Sequence, residues 1–160
     1  MSDTCMSHIE NHWKALTLTA NDCFNKEDFE KALSGYKEAL YRAEVLNDHQ
    51  ENCQQLDIPF MQVFIISCNN LSNTYQKLGQ YDAAEIMLKR AVHYLLHLST
   101  QAHINMNELH HELKRASITL FNFKGEKIGE KEQEKLLRNI KEQLAENQSI
   151  NINRALKSPK

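Results

Sequence analysis

The chain has 160 residues and a formal charge of −2, with only four glycines and two prolines. That is long enough to bury a real core, and too poor in turn residues for an all-β architecture. A near-neutral balance calls for neither a nucleic acid nor an anionic membrane as partner. From Lys124 onward the net charge is +3, against −5 before it, but the basic end is interleaved with glutamates, the pattern of a solvated helix face.

The first predicted helix runs from about Thr4 to Phe24 and carries Ile9, Trp13, Leu16, Ala20, Cys23 and Phe24 at helical spacing. Asn25 is its successor's expected cap, with Asp28 in the first turn. Helix two then carries Phe29, Ala32, Leu33, Tyr36, Ala39, Leu40, Ala43 and Leu46, and nothing breaks it before Asp57 and Pro59, so it is expected to run about 25 residues or more, with fraying after Asn47 as the alternative. Asp57 is read as a capping acid and Pro59 as a first-turn residue of helix three. Helix three spans Phe60 to Lys77, and Gly79 is the left-handed residue past its end. Helix four begins near Tyr81 and uses Ala84, Met87, Leu88, Ala91, Leu95 and Leu98. Helix five is expected over about Ala102–Phe121, a second glycine turn lies in the stretch "FKGEKIG", and helix six covers Glu130–Glu146. Residues 148–160 read as a disordered tail after a single domain over 1–147.

Cys5, Cys23, Cys53 and Cys68 form no CxxC and read as free thiols. The N-terminal stretch has no signal-peptide core, and the apolar run at "PFMQVFII" is too short to span a bilayer. A cytoplasmic, non-membrane protein is the expectation.

Placed one beneath the other, "LTLTANDCFNKEDFEKALSGYKEAL" and "CNNLSNTYQKLGQYDAAEIMLKRAV" align without a gap at an offset of 52 residues. Ala20 meets Ser72, Phe29 meets Tyr81, Ala32 meets Ala84, Tyr36 meets Leu88 and Ala39 meets Ala91. Small residues at these places let paired helices approach, and the aromatic by the turn plugs the gap. The pattern resembles the tetratricopeptide repeat, most closely over Leu71, Ser72, Tyr75, Gly79, Tyr81, Ala84 and Ala91, and the phrase from Asn69 to Val92 is most similar to the long-helix variety of kinesin light chains. The first unit has Glu27 where glycine is usual. The resemblance covers residues 13–96 and, loosely, 102–146. It implies an all-α fold of three antiparallel hairpins, at about 4–56, 58–98 and 102–146, stacked as a short solenoid. The usual repeat of about 34 residues is exceeded here, so helix two and early helix three are expected to project, as a taller solenoid or as a dimer surface built from Tyr41, Val45, Leu56, Ile58, Phe60, Met61 and Phe64.

In such a stack the first helix of each pair lines a concave groove. The expected lining is Lys14, Thr17, Asn21, Phe24 and Asn25, then Ile66, Asn69, Asn70, Asn73, Gln76 and Lys77, then His111, Lys114, Arg115, Ile118 and Asn122. Asparagine amides can bond both the N–H and the C=O of an extended peptide, so the partner is expected to be another protein or peptide. Some members of the resembled family clamp a peptide's terminal carboxylate. Asn21, Asn70 and Arg115 match that clamp, whereas Thr17 and His111 stand where lysines are usual.

No phosphate loop, GxSxG or HExxH occurs, so no enzyme activity and no cofactor are expected. His93 and His97, at i and i+4, are a weak candidate pair for a metal, or for pH sensing. The expected function is therefore a non-enzymatic interaction module, adaptor or regulator. The alternatives are a chaperone similar to those of bacterial type III secretion, a histidine-based sensor, and a homodimer formed through helix two.

Overall fold

The computed structural model describes the backbone of residues 1–125 and 130–157, and the side chains of these except at 125, 130–133, 152, 153 and 155–157. Among the described residues the chain is all-helical, in the order α1 (Asp3–Asn25), α2 (Phe29–Asn47), α3 (Gln50–Gln55), α4 (Phe60–Lys77), α5 (Tyr81–Leu98), α6 (Met106–Gly125) and α7 (Glu130–Lys157), with no strand. It divides into two compact units, Met1–Leu88 and Lys89–Lys160.

In the first unit α2 packs against both α1 and α4. α1 and α2 approach each other closely. A Cβ built on Gly35 would sit 3.0 Å from the Cβ of Ala20, so the pair of small residues lets the two helices come close. Around this contact lie the buried Ala32, Leu33, Tyr36, Ala39 and Leu40. Trp13 ties α1 to α4: its indole N–H donates to Ser67 Oγ at 2.9 Å, and that hydroxyl donates in turn to the Val63 carbonyl at 2.8 Å. A tryptophan buried this deeply needs such a partner.

Both helix pairs' turns close in the same way. At the end of α1 the Glu27 N–H bonds the Phe24 carbonyl at 3.0 Å and the Asp28 N–H bonds the Cys23 carbonyl at 2.9 Å. At the end of α4 the Gly79 N–H bonds Gln76 at 3.0 Å and the Gln80 N–H bonds Tyr75 at 2.8 Å. Every donor and acceptor is displaced by 52 residues, the offset of the internal match. Each is a Schellman turn with its C′ residue left-handed, φ 62° at Glu27 and 71° at Gly79. Asp28 is the N-cap of α2, its carboxylate accepting from the Lys31 N–H, so the cap lies three residues beyond the expected Asn25.

The long second helix does not form. α2 stops at Asn47, and the separate short helix α3 packs against α1 and α2. Cys53 is fully buried, and its thiol donates to the Leu46 carbonyl at 3.3 Å, while Leu46 and Met6 are likewise fully buried. Asp57 is no cap for α4. With φ 53° it is a third left-handed residue, and the Ile58 N–H reaches the Cys53 carbonyl at 2.8 Å to close α3. The stretch expected to lengthen helix two is therefore folded back on the unit. The apolar residues expected to form a projecting dimer surface follow suit: Ile58, Phe60, Met61 and Phe64 are buried, Val45 and Leu56 are half-buried, and of that set Tyr41 alone is exposed.

In the second unit α6 and α7 form an antiparallel pair. The described core includes Leu95, Leu98, Leu109, Leu113, Leu120 and Ile140. The tail expected from 148 is corrected, since α7 continues to Lys157. Its amides explain why. Asn147 Nδ2 donates to the Leu96 carbonyl at 3.0 Å and to Ser99 Oγ at 3.1 Å, and Asn151 Nδ2 donates to the Ser99 carbonyl. These side chains bond carbonyls at the end of α5, of which that of Leu96 also accepts from Ser99 Oγ, and hold α7 in place. Residues 126–129 of the second glycine turn and 158–160 of the expected tail lie outside the described residues. No described helix is long and apolar enough to cross a membrane.

Two outcomes follow from this packing. Nothing lies within 4 Å of a Cβ built on Gly79, so conformational strain alone sets the effect of a substitution there. Gly79→Ala is expected to cost about 1 kcal/mol and Glu27→Gly to stabilise by about the same, both read by chemical denaturation. Burial, with the Glu10 charge as the lesser cause, pushes the Cys53 thiol up to about 11 from its ordinary 9.0. The folded state thus keeps a proton that the unfolded chain releases, and stability should fall as pH rises from 9 toward 11. Denaturation midpoints across that range should fall less steeply in Cys53→Ala.

Candidate functional site

Helical spacing puts Asn21, Phe24 and Asn25 on one face at the end of α1, and Asn70 and Asn73 on one face of α4. Because α2 packs against both helices, these two faces meet over it. They enclose, with Tyr36 of α2, a concavity of about 270 Å³ open to solvent.

Tyr36 is 3% exposed, and its hydroxyl donates to Asn21 Oδ1 at 2.6 Å. Burial, and to a lesser degree the neighbouring Cys23, raises the phenol above its usual range, so it stays a donor at neutral pH. The bond occupies the Asn21 oxygen and leaves its NH₂ group as the donor available to a ligand. Asn70 is half-buried and Asn73 exposed, and neither side chain bonds another described residue. The Asn70 backbone carbonyl does accept from Thr74 Oγ1 at 2.8 Å, which fixes the local backbone. Phe24 supplies an apolar wall and stands edge-on to Phe29, ring centroids 5.3 Å apart. The cavity thus offers uncommitted amide groups beside an aromatic ring, and no charged side chain lines it.

The expected lining divides accordingly. Asn21, Phe24, Asn25, Asn70 and Asn73 come together. Asn69 is half-buried on α4 but lies outside the cavity. Thr17 is not available as a lining residue, because it is buried at 9% exposure. Lys14 is exposed and paired with Glu10 at 2.7 Å. Gln76 turns back to donate to Ser72 Oγ at 3.4 Å, and Lys77 is exposed in the last turn of α4. His111 and Arg115 belong to the second unit. Both are exposed, and Arg115 lies 3.6 Å from Glu112, whose side chain is largely buried. The cations that would clamp a terminal carboxylate are accordingly not among the residues around Asn21 and Asn70. His93 and His97 are exposed on α5, and no group of three metal-ligating side chains occurs among the described residues.

Tyr36 is the member that sequence reasoning assigned to packing alone. The signal was present: its equivalent 52 residues on is Leu88, and a hydroxyl at a buried packing position must find an acceptor.

A family model described as protein of unknown function (DUF2753) matches residues 11–155, and the chain belongs to that family. No curated protein and no solved structure matches the chain.

Tyr36→Phe removes the donor that holds Asn21 while leaving the ring in place. It is expected to lower stability by about 1 kcal/mol, measured by urea denaturation.

Proposed function

We propose that this member of the DUF2753 family is a non-enzymatic protein-interaction module that holds an extended peptide segment of a partner against the asparagine wall of its first unit. The single observation that carries this reading is the convergence of Asn21, Asn70 and Asn73 on one open cavity, with the Asn70 and Asn73 amides uncommitted within the described structure. A carboxamide can donate to a peptide carbonyl and accept from a peptide N–H at once. An extended segment laid along this wall would therefore have both kinds of main-chain group met. Phe24 would receive an apolar side chain.

The repeated Schellman turns support a tetratricopeptide-like arrangement, in which the first helix of each pair faces the ligand. The role then is that of an adaptor or regulator, and its peptide is recognised mainly through the backbone, since no cation lines the cavity. Four free cysteines fit a reducing, cytoplasmic setting.

A displayed random-peptide library panned on the purified chain tests the proposal. Enriched peptides should bind Asn70→Ala/Asn73→Ala about 10- to 30-fold more weakly, the loss of two amide hydrogen bonds, with the melting temperature unchanged. If the double variant binds the same peptides with undiminished affinity, the wall is not the site.

A further inference from the structure

The second unit holds a concavity of a different kind. Between α6 and α7 lies an open groove of about 460 Å³, floored by Leu113 and Ile140 and flanked by Leu137 and Leu144. Its walls are almost wholly apolar. The polar residues along it are His110, Ser117 and Gln148 and, one from each helix, the lysines Lys114 of α6 and Lys141 of α7. Both are exposed, and neither has an ion-pair partner among the described residues. Near one end the side-chain nitrogens of His110 and Gln148 lie 2.6 Å apart and bridge the two helices. The Asn147 and Asn151 bonds to Leu96 and Ser99 fix α7 at that same end, so the groove is preformed there.

These features select an occupant. The volume is that of a small-molecule pocket, which characteristically pairs apolar walls with a few polar groups that orient the ligand. Two unpaired lysines beside an apolar floor call for an anion joined to a hydrocarbon body. We propose that this groove binds a small anionic amphiphile, a monocarboxylate with an aliphatic tail, its tail over Leu113 and Ile140 and its carboxylate held by Lys114 and Lys141. The tail gains by leaving water, and the lysine stems extend the apolar surface beneath the head group.

Calorimetric titration of the 160-residue chain with dodecanoate, kept below its micelle concentration, tests this, with dodecyltrimethylammonium as the chain-matched cation. Saturable one-to-one binding of dodecanoate is expected, about ten-fold or more tighter than the cation. Lys114→Gln/Lys141→Gln should weaken it about ten-fold. Ile118 lines the groove yet is 47% exposed, so Ile118→Glu should abolish binding without unfolding the chain, which circular dichroism checks. Absence of saturation, equal binding of the two head groups, or indifference to both variants would overturn the proposal. So would self-association of the chain that Ile118→Glu disrupts, since the groove would then belong to a second copy.

Discussion

The close approach of α1 to α2 at Ala20 and Gly35 governs the first unit. A methyl group on Gly35 would meet Ala20 at 3.0 Å, closer than carbon atoms pack without something yielding. One residue further along each helix, Asn21 and Tyr36 meet through a 2.6 Å hydrogen bond. This close packing contact and the first polar contact of the cavity are thus neighbours on both helices. If the helices were pushed apart by even one methylene, the 2.6 Å bond from the Tyr36 hydroxyl to Asn21 would be stretched with them. Packing at Gly35 and amide placement at Asn21 are the same constraint seen from inside and outside.

The 52-residue offset of the internal match raises the question of what the chain does with the stretch between α2 and α4. A helix can grow, or the surplus can fold back. Here it folds back, because Cys53, Ile58, Phe60 and Met61 are apolar enough to gain more by burial than a projecting helix gains from its own hydrogen bonds. The backbone must reverse within a few residues to do this, and Asp57 takes the left-handed conformation that makes the reversal possible. Asp tolerates that region better than most residues. The two turns at Glu27 and Gly79 meanwhile keep identical hydrogen bonds, so turn geometry is preserved where the side chain is not.

Much of this was legible from residues. The bounds of α4, Phe60–Lys77, follow from Pro59 before it and Gly79 after it, which are local signals with local causes. The apolar faces of α1 and α2 follow from their period. Where reading failed, the cause was tertiary. The stretch from Asn47 to Leu56 contains neither Gly nor Pro, so its local pattern suggests fraying after Asn47 and no clean break, and the break is set by the burial of Cys53 against Leu46. The polar end of α7 read as disordered because its amides look merely hydrophilic, until Asn147 and Asn151 are seen capping carbonyls about 50 residues away. Of the site, the asparagines were legible as a stripe, but Thr17, Lys14 and Gln76 were lost to burial, an ion pair and an internal hydrogen bond, none of which one helix's pattern can reveal.

Asparagine thus does opposite things in the two units, and the difference is one of commitment. Asn147 and Asn151 satisfy carbonyls of their own chain, so their hydrogen-bonding capacity is spent on holding α7. Asn70 and Asn73 sit on a helix whose neighbouring hydroxyl, Thr74, bonds the backbone instead of the amides. An uncommitted amide at a half-buried position is hydrated by water that a ligand must displace, and only a ligand presenting both donors and acceptors replaces those bonds without loss. A peptide main chain does so whatever its side chains. If the proposed peptide binding holds, a wall of this composition would supply affinity with little sequence preference, and discrimination among peptides would fall to the aromatic surface beside it, Phe24, which stands edge-on to Phe29.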